Sequence, residues 1–179
     1  MEFLPTEIPG VLLIKPDVFR DPRGFFLETY HADKYRAGGI PGPFVQHNHS
    51  NSRRGTLRGL HAQTRKPQGK LLRVLSGEIW DVAVDARRGS PTYGKWIGVT
   101  LSAENQLQIW VPPRMLHGFC VVSEVADVEY KCTDVYDPGY EVTVMWNDPA
   151  LGVQWPTQQP VLSGKDLKGL AFRDLGSGL

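Results

Sequence analysis

Short apolar or alternating runs, each cut off by Gly, Pro, Asn or Asp, follow one another along this chain and leave no room for a long helix. A strand needs only a handful of residues before a turn, whereas a helix needs several uninterrupted turns to bury a face. The 19 glycines and 14 prolines among 179 residues therefore act as punctuation between strands. The clearest alternation is Gln106 to Val111, with Leu107, Ile109 and Val111 on one face and Gln106, Gln108 and Trp110 on the other. Ile79 to Asp85 repeats the pattern, with Trp80, Val82 and Val84 opposite Asp81, Ala83 and Asp85. Both are expected to be half-buried strands, one face in the core and one in water.

Further strands are expected at Gly10 to Ile14, Gly24 to Thr29, Phe44 to Ser50, Thr56 to Gln63, Lys70 to Ser76, Trp96 to Leu101, His117 to Val122, Asp127 to Asp134 and Val142 to Asn147. Helical pattern is confined to short pieces near His31 to Ala37 and Gly164 to Leu170. Turns are marked at Leu75-Ser76-Gly77-Glu78 and at the Pro112-Pro113-Arg114 corner. The last residues, Gly176-Ser177-Gly178-Leu179, read as a frayed end. So many short strands predict an all-β jelly roll with short peripheral helices and room inside for a small ligand. With 41% hydrophobic and 22% charged residues, the expectation is one globular domain over residues 1–179.

A formal net charge of +1 gives no general basic field, so nucleic acid is excluded as a partner and any phosphate must be held by local arginines and lysines. The N-terminus, Met1-Glu2-Phe3-Leu4-Pro5, lacks a basic run followed by an apolar core, and no segment reaches the apolar length of a membrane span. The expected location is the cytoplasm. Cys120 and Cys132 lie in apolar, strand-like surroundings without metal-site spacing, and read as reduced core thiols.

Chemistry concentrates in Arg58-Gly59-Leu60-His61-Ala62-Gln63 and Gln68-Gly69-Lys70. An imidazole and a fixed ammonium so close in strand-like sequence suit carbanion formation beside a carbonyl: one removes the proton, the other stabilises the oxyanion. Tyr130 places a phenol mid-strand, and Asp166 places a carboxylate that can orient the histidine. Taken singly, each has a plainer role. His61 can be a satisfied core histidine, Tyr130 a capped sheet tyrosine, Lys70 a solvated edge lysine, and Asp166 a carboxylate in the first turn of a short helix.

The jelly-roll pattern invites comparison with the metal-binding motifs of cupins. Gly55 and His61 fit the first motif, but Gln63 stands where the second His belongs, and Pro67 and Gln68 stand where the Glu falls. In the second motif Pro112 and His117 fit, but Arg114 replaces Gly and Val121 replaces Asn. Two imidazoles without a carboxylate make a poor divalent site. His47 and His49 remain as a ligand pair on one strand face, but Arg53 and Arg54 follow closely and repel a cation. No metal is expected.

The chain resembles the dTDP-4-dehydrorhamnose 3,5-epimerase family, cofactor-free cupin enzymes. The resemblance rests on Asp21-Pro22-Arg23-Gly24-Phe25-Phe26-Leu27-Glu28, Gln46-His47-Asn48-His49-Ser50, Leu57-Arg58-Gly59-Leu60-His61 and Gln68-Gly69-Lys70-Leu71-Leu72-Arg73-Val74. It continues through Gly77 to Asp85, Ser90 to Gly94, Trp110 to Pro113, His117-Gly118-Phe119, Tyr130-Lys131, Tyr136, Glu141 and Leu162 to Asp166. It implies inversion at the two carbons flanking the C4 ketone of a dTDP-4-keto-6-deoxyhexose. His61 is implied as base, Asp166 as its partner, Lys70 at the ketone oxygen and Tyr130 as the acid on the opposite face. Substrate binding is implied for Arg23, Glu28, Gln46, Asn48, Arg58, His117, Tyr136, Glu141 and Lys165, with Tyr136 stacking on thymine.

In an extended strand Gln46 and Asn48 share one face and His47 and His49 the other, which puts the amides inside and the imidazoles outside. The guanidinium groups of Arg23 and Arg58 suit a diphosphate. Family members are typically homodimers that exchange an N-terminal strand, so Arg23 or Glu28 is expected to reach a partner's cavity. Arg114, where the family commonly has glycine, is the main departure, with Ala62 and His47 as lesser ones. The competing expectations are an epimerase acting only at C3 or only at C5, a metal-dependent cupin, and a sugar-nucleotide binding module without catalysis.

Overall fold

The computed structural model describes residues 1–176 and 179. Thirteen strands make up nearly all of its regular structure: β1 (Glu2–Pro5), β2 (Leu12–Lys15), β3 (Val18–Asp21), β4 (Gly24–Leu27), β5 (Gln46–Arg53), β6 (Leu57–Gln63), β7 (Lys70–Ser76), β8 (Glu78–Asp85), β9 (Trp96–Ser102), β10 (Gln108–Val111), β11 (Met115–Val121), β12 (Val125–Cys132) and β13 (Glu141–Thr143). Among the described residues the one α-helix, α1, spans Ala32–Ala37. A six-stranded sheet runs β1-β2-β10-β7-β12-β5, a five-stranded sheet runs β13-β6-β11-β8-β9, and β3 and β4 form a separate hairpin. The pairings between strands are antiparallel. This is the expected jelly roll.

The two sheets close on a core to which each contributes every second residue. Leu72 and Val74 of β7, Ile109 and Val111 of β10, and Ala126 and Val128 of β12 meet Ile79 and Ala83 of β8, Leu101 of β9, and Met115, Phe119 and Val121 of β11. Each fully buried aliphatic side chain contributes on the order of 2 kcal/mol. The apolar residues at the far end of this core give way to a polar cavity, so the same strands build both the packing and the site.

The half-buried reading of Ile79 to Asp85 and Gln106 to Val111 is corrected by the structure, because both sheets are covered on their outer faces as well. Leu151, Trp155, Phe172, Leu175 and Leu179 pack over β8, β6 and β11. Tyr35 of α1 and Ile40 cover Leu71, Ile14 and Trp110 on the other sheet. The residues assigned to water are buried too, Gln108 and Trp110 under this cover and Asp81 and Asp85 on the inward face of β8 beside Ile79 and Ala83. Asp85 accepts from Arg87, Ser90 and Thr92, and the Tyr35 hydroxyl donates to Gln108, at 3.0 Å. Nothing in a local run of residues foretells a cover supplied from 70 positions later.

The frayed end is corrected too. Leu179 is buried in the outer cluster and the Gly176 carbonyl accepts from Arg88 at 2.8 Å; Ser177 and Gly178 lie outside the described residues. The expected helical piece at Gly164 to Leu170 is a single 3-10 turn, Asp166–Lys168. Strands β1 and β3 had no sequence signal, being four residues each and largely exposed. Arg114 adopts φ +68°, the left-handed conformation that glycine takes without cost, which fits the glycine that the resemblance implied for this corner. It is exposed and does not line the cavity.

Candidate active site

Between the open ends of the sheets lies a cavity of about 450 Å³. Its two walls belong to different sheets. His61 of β6 and His117 of β11 project from the five-stranded sheet, while Lys70 of β7, Tyr130 of β12, and Gln46, Asn48 and Ser50 of β5 project from the six-stranded one. The rim is closed by Tyr136, Glu141 and the segment Val161 to Asp166.

His61 and His117 are paired residues on adjacent strands, followed by a register shift between His117 and Phe119. Glycine permits this close approach: a Cβ on Gly118 would lie 2.7 Å from the Arg58 carbonyl oxygen and 3.0 Å from the Gly59 Cα. Each histidine is held by a buried carboxylate. His61 Nε2 lies 2.5 Å from Asp166 Oδ1, and His117 Nε2 lies 2.9 Å from Asp81 Oδ2. Asp166 is fixed in turn by the Ser163 hydroxyl, which donates to Oδ2 at 2.6 Å. Burial pushes the Asp166 carboxyl up, but the hydrogen bonds from His61 and Ser163 outweigh it and hold the group below the usual carboxylate range. With Nε2 directed at Asp166, Nδ1 is the ring nitrogen left free.

On the facing wall, burial raises the Tyr130 phenol above its ordinary value, so it keeps its proton at neutral pH. Burial drives Lys70 the other way, below the ordinary lysine range, and the nearby Cys132, Glu141 and Asp81 compensate only in part. Among the described residues its ammonium makes no ion pair. A cation held this way is poised to meet a developing negative charge.

The parity expected for β5 is what the structure shows. Gln46 and Asn48 line the cavity, and His47 and His49 are exposed on the outer face, where His49 meets Asp127 at 2.9 Å and His47 meets Lys131 at 3.4 Å. Gln46 Nε2 donates to Asn48 Oδ1 at 3.0 Å, and Asn48 Nδ2 points at Cys132 Sγ at 3.7 Å. At the rim, Lys165 Nζ donates to both Glu141 oxygens at 2.7 and 2.9 Å, and the Tyr136 hydroxyl donates to Glu141 at 3.1 Å. Burial raises the Glu141 carboxyl, but Lys165 and then His61 more than offset this and keep it ionised. Arg58 is exposed, its guanidinium held by the Ser52 hydroxyl at 2.9 and 3.1 Å.

Of the thirteen residues singled out in the sequence, eleven line this cavity and two do not. Arg23 and Glu28 sit on or beside the β3–β4 hairpin, engaged with Asp21 and Lys34 at 2.6 and 2.8 Å. Sequence reasoning missed Ser163 and Asp81, the partners that fix Asp166 and His117, and it noted Gln63 only as a departure from the cupin metal motif. The 36 positions between Asp81 and His117 leave no local signal, whereas Ser163 stands three residues before Asp166, a local Ser-x-x-Asp spacing that could have marked it. Among the described residues, no group of three or more His, Cys, Asp and Glu side chains converges as a metal-ligand set.

Comparison with known proteins places the chain. The family model described as dTDP-4-dehydrorhamnose 3,5-epimerase matches residues 5–174. A dTDP-4-dehydrorhamnose 3,5-epimerase of Neisseria gonorrhoeae is 55% identical over 94% of this chain, which spans about half (52%) of that relative. The enzyme of the same name from Pseudomonas aeruginosa is 54% identical, with 93% of each chain covered. Among solved structures, the dTDP-6-deoxy-D-glucose-3,5-epimerase of Legionella pneumophila Philadelphia 1, in complex with dTDP-4-keto-L-rhamnose, superposes with a TM-score of 0.94. It is 46% identical, covering 97% of this chain and 94% of that one. With the family model matching residues 5–174 and relatives about half identical covered over more than nine-tenths of their length, the chain belongs to the dTDP-4-dehydrorhamnose 3,5-epimerase family.

Proposed function

We propose that this protein is an epimerase that inverts C3 and C5 of dTDP-4-dehydro-6-deoxy-D-glucose, giving dTDP-4-dehydro-L-rhamnose. The observation that carries the reading is the division of acid and base between the two cavity walls: His61 on one sheet, Tyr130 and Lys70 on the other. Inversion requires a proton to leave one face of the sugar and return to the other.

His61 takes the proton from the carbon next to the C4 ketone. The C–H electron pair moves into an enolate whose oxygen is met by the Lys70 ammonium, and Asp166 stabilises the imidazolium that forms. Tyr130 then donates its phenolic proton to the opposite face of the same carbon, the enolate pair forms the new C–H bond, and the ketone is restored. The proton on His61 passes to solvent and the phenolate takes one from solvent, so both groups are reset with no net gain or loss of protons. The ketone activates both flanking carbons, which lets one acid and base serve C3 and C5.

The remaining cavity groups hold the nucleotide sugar. Arg58 and Lys165 suit the diphosphate, Gln46, Asn48, His117 and Glu141 offer hydrogen bonds to the sugar, and Tyr136 stacks on the thymine ring. Arg23 and Glu28 act from a second subunit in a homodimer. The β3–β4 hairpin supports this, since Phe19, Phe25 and Phe26 are 63%, 53% and 68% exposed and Arg23 stands out at its tip. So large an aromatic patch on a projecting hairpin fits an interface. Two free buried thiols fit work in the reducing cytoplasm.

The test is incubation of the protein with dTDP-4-keto-6-deoxyglucose in D2O, followed by NMR. Deuterium at C3 and C5 with inversion at both is expected. Inversion at C3 or C5 alone identifies the narrower relative, and binding without any exchange overturns the catalytic reading.

A further inference from the structure

Gln63 stands where a metal-binding cupin carries its second histidine, and its amide is bonded to the backbone of one loop. It is 4% exposed. Its Oε1 accepts from the Asp137 backbone N–H at 2.6 Å, and its Nε2 donates to the Val135 and Lys66 carbonyls at 3.3 and 3.4 Å. Gln68 Nε2 donates to the Asp134 carbonyl at 2.7 Å, and the Tyr136 N–H donates to Gln46 Oε1 at 2.7 Å. Three glutamines from β5, β6 and the loop before β7 thus grip four consecutive residues, Asp134 to Asp137, through their backbones.

We propose that Gln63, supported by Gln68, is a positioning residue that sets the Asp134–Asp137 loop so that the Tyr136 ring is already placed for the pyrimidine of a nucleoside diphosphate. The inference deepens the functional reading above and rests on it for the identity of the ligand. Exposed loops of this length are ordinarily mobile, and ordering one on binding lowers affinity. Here Tyr136 is 45% exposed, with Val135 at 50%, so little apolar packing holds the loop and the amides supply what packing does not. The donor pattern also fixes Gln46. A backbone N–H can only donate, so Oε1 must face Tyr136 and Nε2 must face Asn48, which ties the rim to the wall beside Lys70.

The experiment uses backbone amide exchange by NMR on the ligand-free protein, together with calorimetric binding of dTDP and steady-state epimerisation. In the parent protein the amides of Tyr136 and Asp137 should be protected. Gln63→Leu should lose both protections and weaken dTDP binding about tenfold, with KM rising in step and kcat for deuterium exchange within about threefold. Should Gln63→Leu not fold, Gln68→Ala removes one bond only and should weaken dTDP binding about threefold. Unprotected amides in the parent, unchanged dTDP affinity in the folded variants, or a fall in kcat as large as the rise in KM each overturns the proposal. A parent protein that shows amide protection but binds no dTDP instead overturns the functional reading and leaves the glutamine clamp standing as a loop anchor.

Discussion

Replacing Lys70 by methionine should make the protein more stable and nearly inactive. Lys70 lies on β7 between Val111 of β10 and Cys132 of β12, and burial is the largest influence on its ammonium. Leaving a polar group desolvated without a full partner costs roughly 1–3 kcal/mol, and methionine fills the same length without that cost. A gain of about 1–2 kcal/mol, at about 2–4 °C per kcal/mol for a chain of this size, raises the melting midpoint by several degrees. The gain also has a pH signature. Because the folded protein holds the Lys70 proton less tightly than the unfolded chain, the parent's stability rises with pH between the lowered value and the ordinary 10.5, and the deficit is gone above it. The gap between Lys70→Met and parent should therefore be widest at neutral pH and narrow toward pH 10.5. Loss of the ammonium at the enolate oxygen should lower kcat about 10²- to 10³-fold. Thermal melts across pH and deuterium exchange at saturating substrate supply both readouts. A variant that melts below the parent at neutral pH, or a gap indifferent to pH, would refute the idea that this cation is held at the expense of stability.

Asp166→Asn should slow exchange on the order of 10³-fold with little change in KM, because the imidazolium loses its counter-charge. The folded Asp166 carboxyl sits below its ordinary 3.8, so the stability it contributes is present above that pH and lost as pH falls through the lower folded value; the variant's acid unfolding limb should be shallower. Tyr130→Phe should retain deuterium exchange while losing inversion, as judged by NMR, since the base is intact and only the opposite-face donor is gone. Arg114→Gly should raise stability by up to about 1 kcal/mol in denaturant titration by relieving the left-handed backbone, with activity unchanged. His47→Ala with His49→Ala should leave exchange within about threefold of the parent, because both rings point away from the cavity.

The chain's own spacing determined the strands. Closely set breakers and period-two alternation recovered β7 to the residue and most other strands within a few positions, because a strand is a local choice of backbone and face. Parity alone put Gln46 and Asn48 inward and His47 and His49 outward, for the same reason. Family motifs named eleven residues that share one cavity, since they mark chemistry rather than packing. Tertiary structure decided what depends on partners far along the chain. The face of β8 that carries Asp81 and Asp85 turns inward with Ile79 and Ala83, Asp81 meets His117 36 positions away, Asp166 meets His61 105 positions away, and Gln63 finds its loop 72 to 74 positions away. A buried polar atom must find a donor or acceptor wherever the fold brings one, and that distance in sequence is invisible to any pattern read along it.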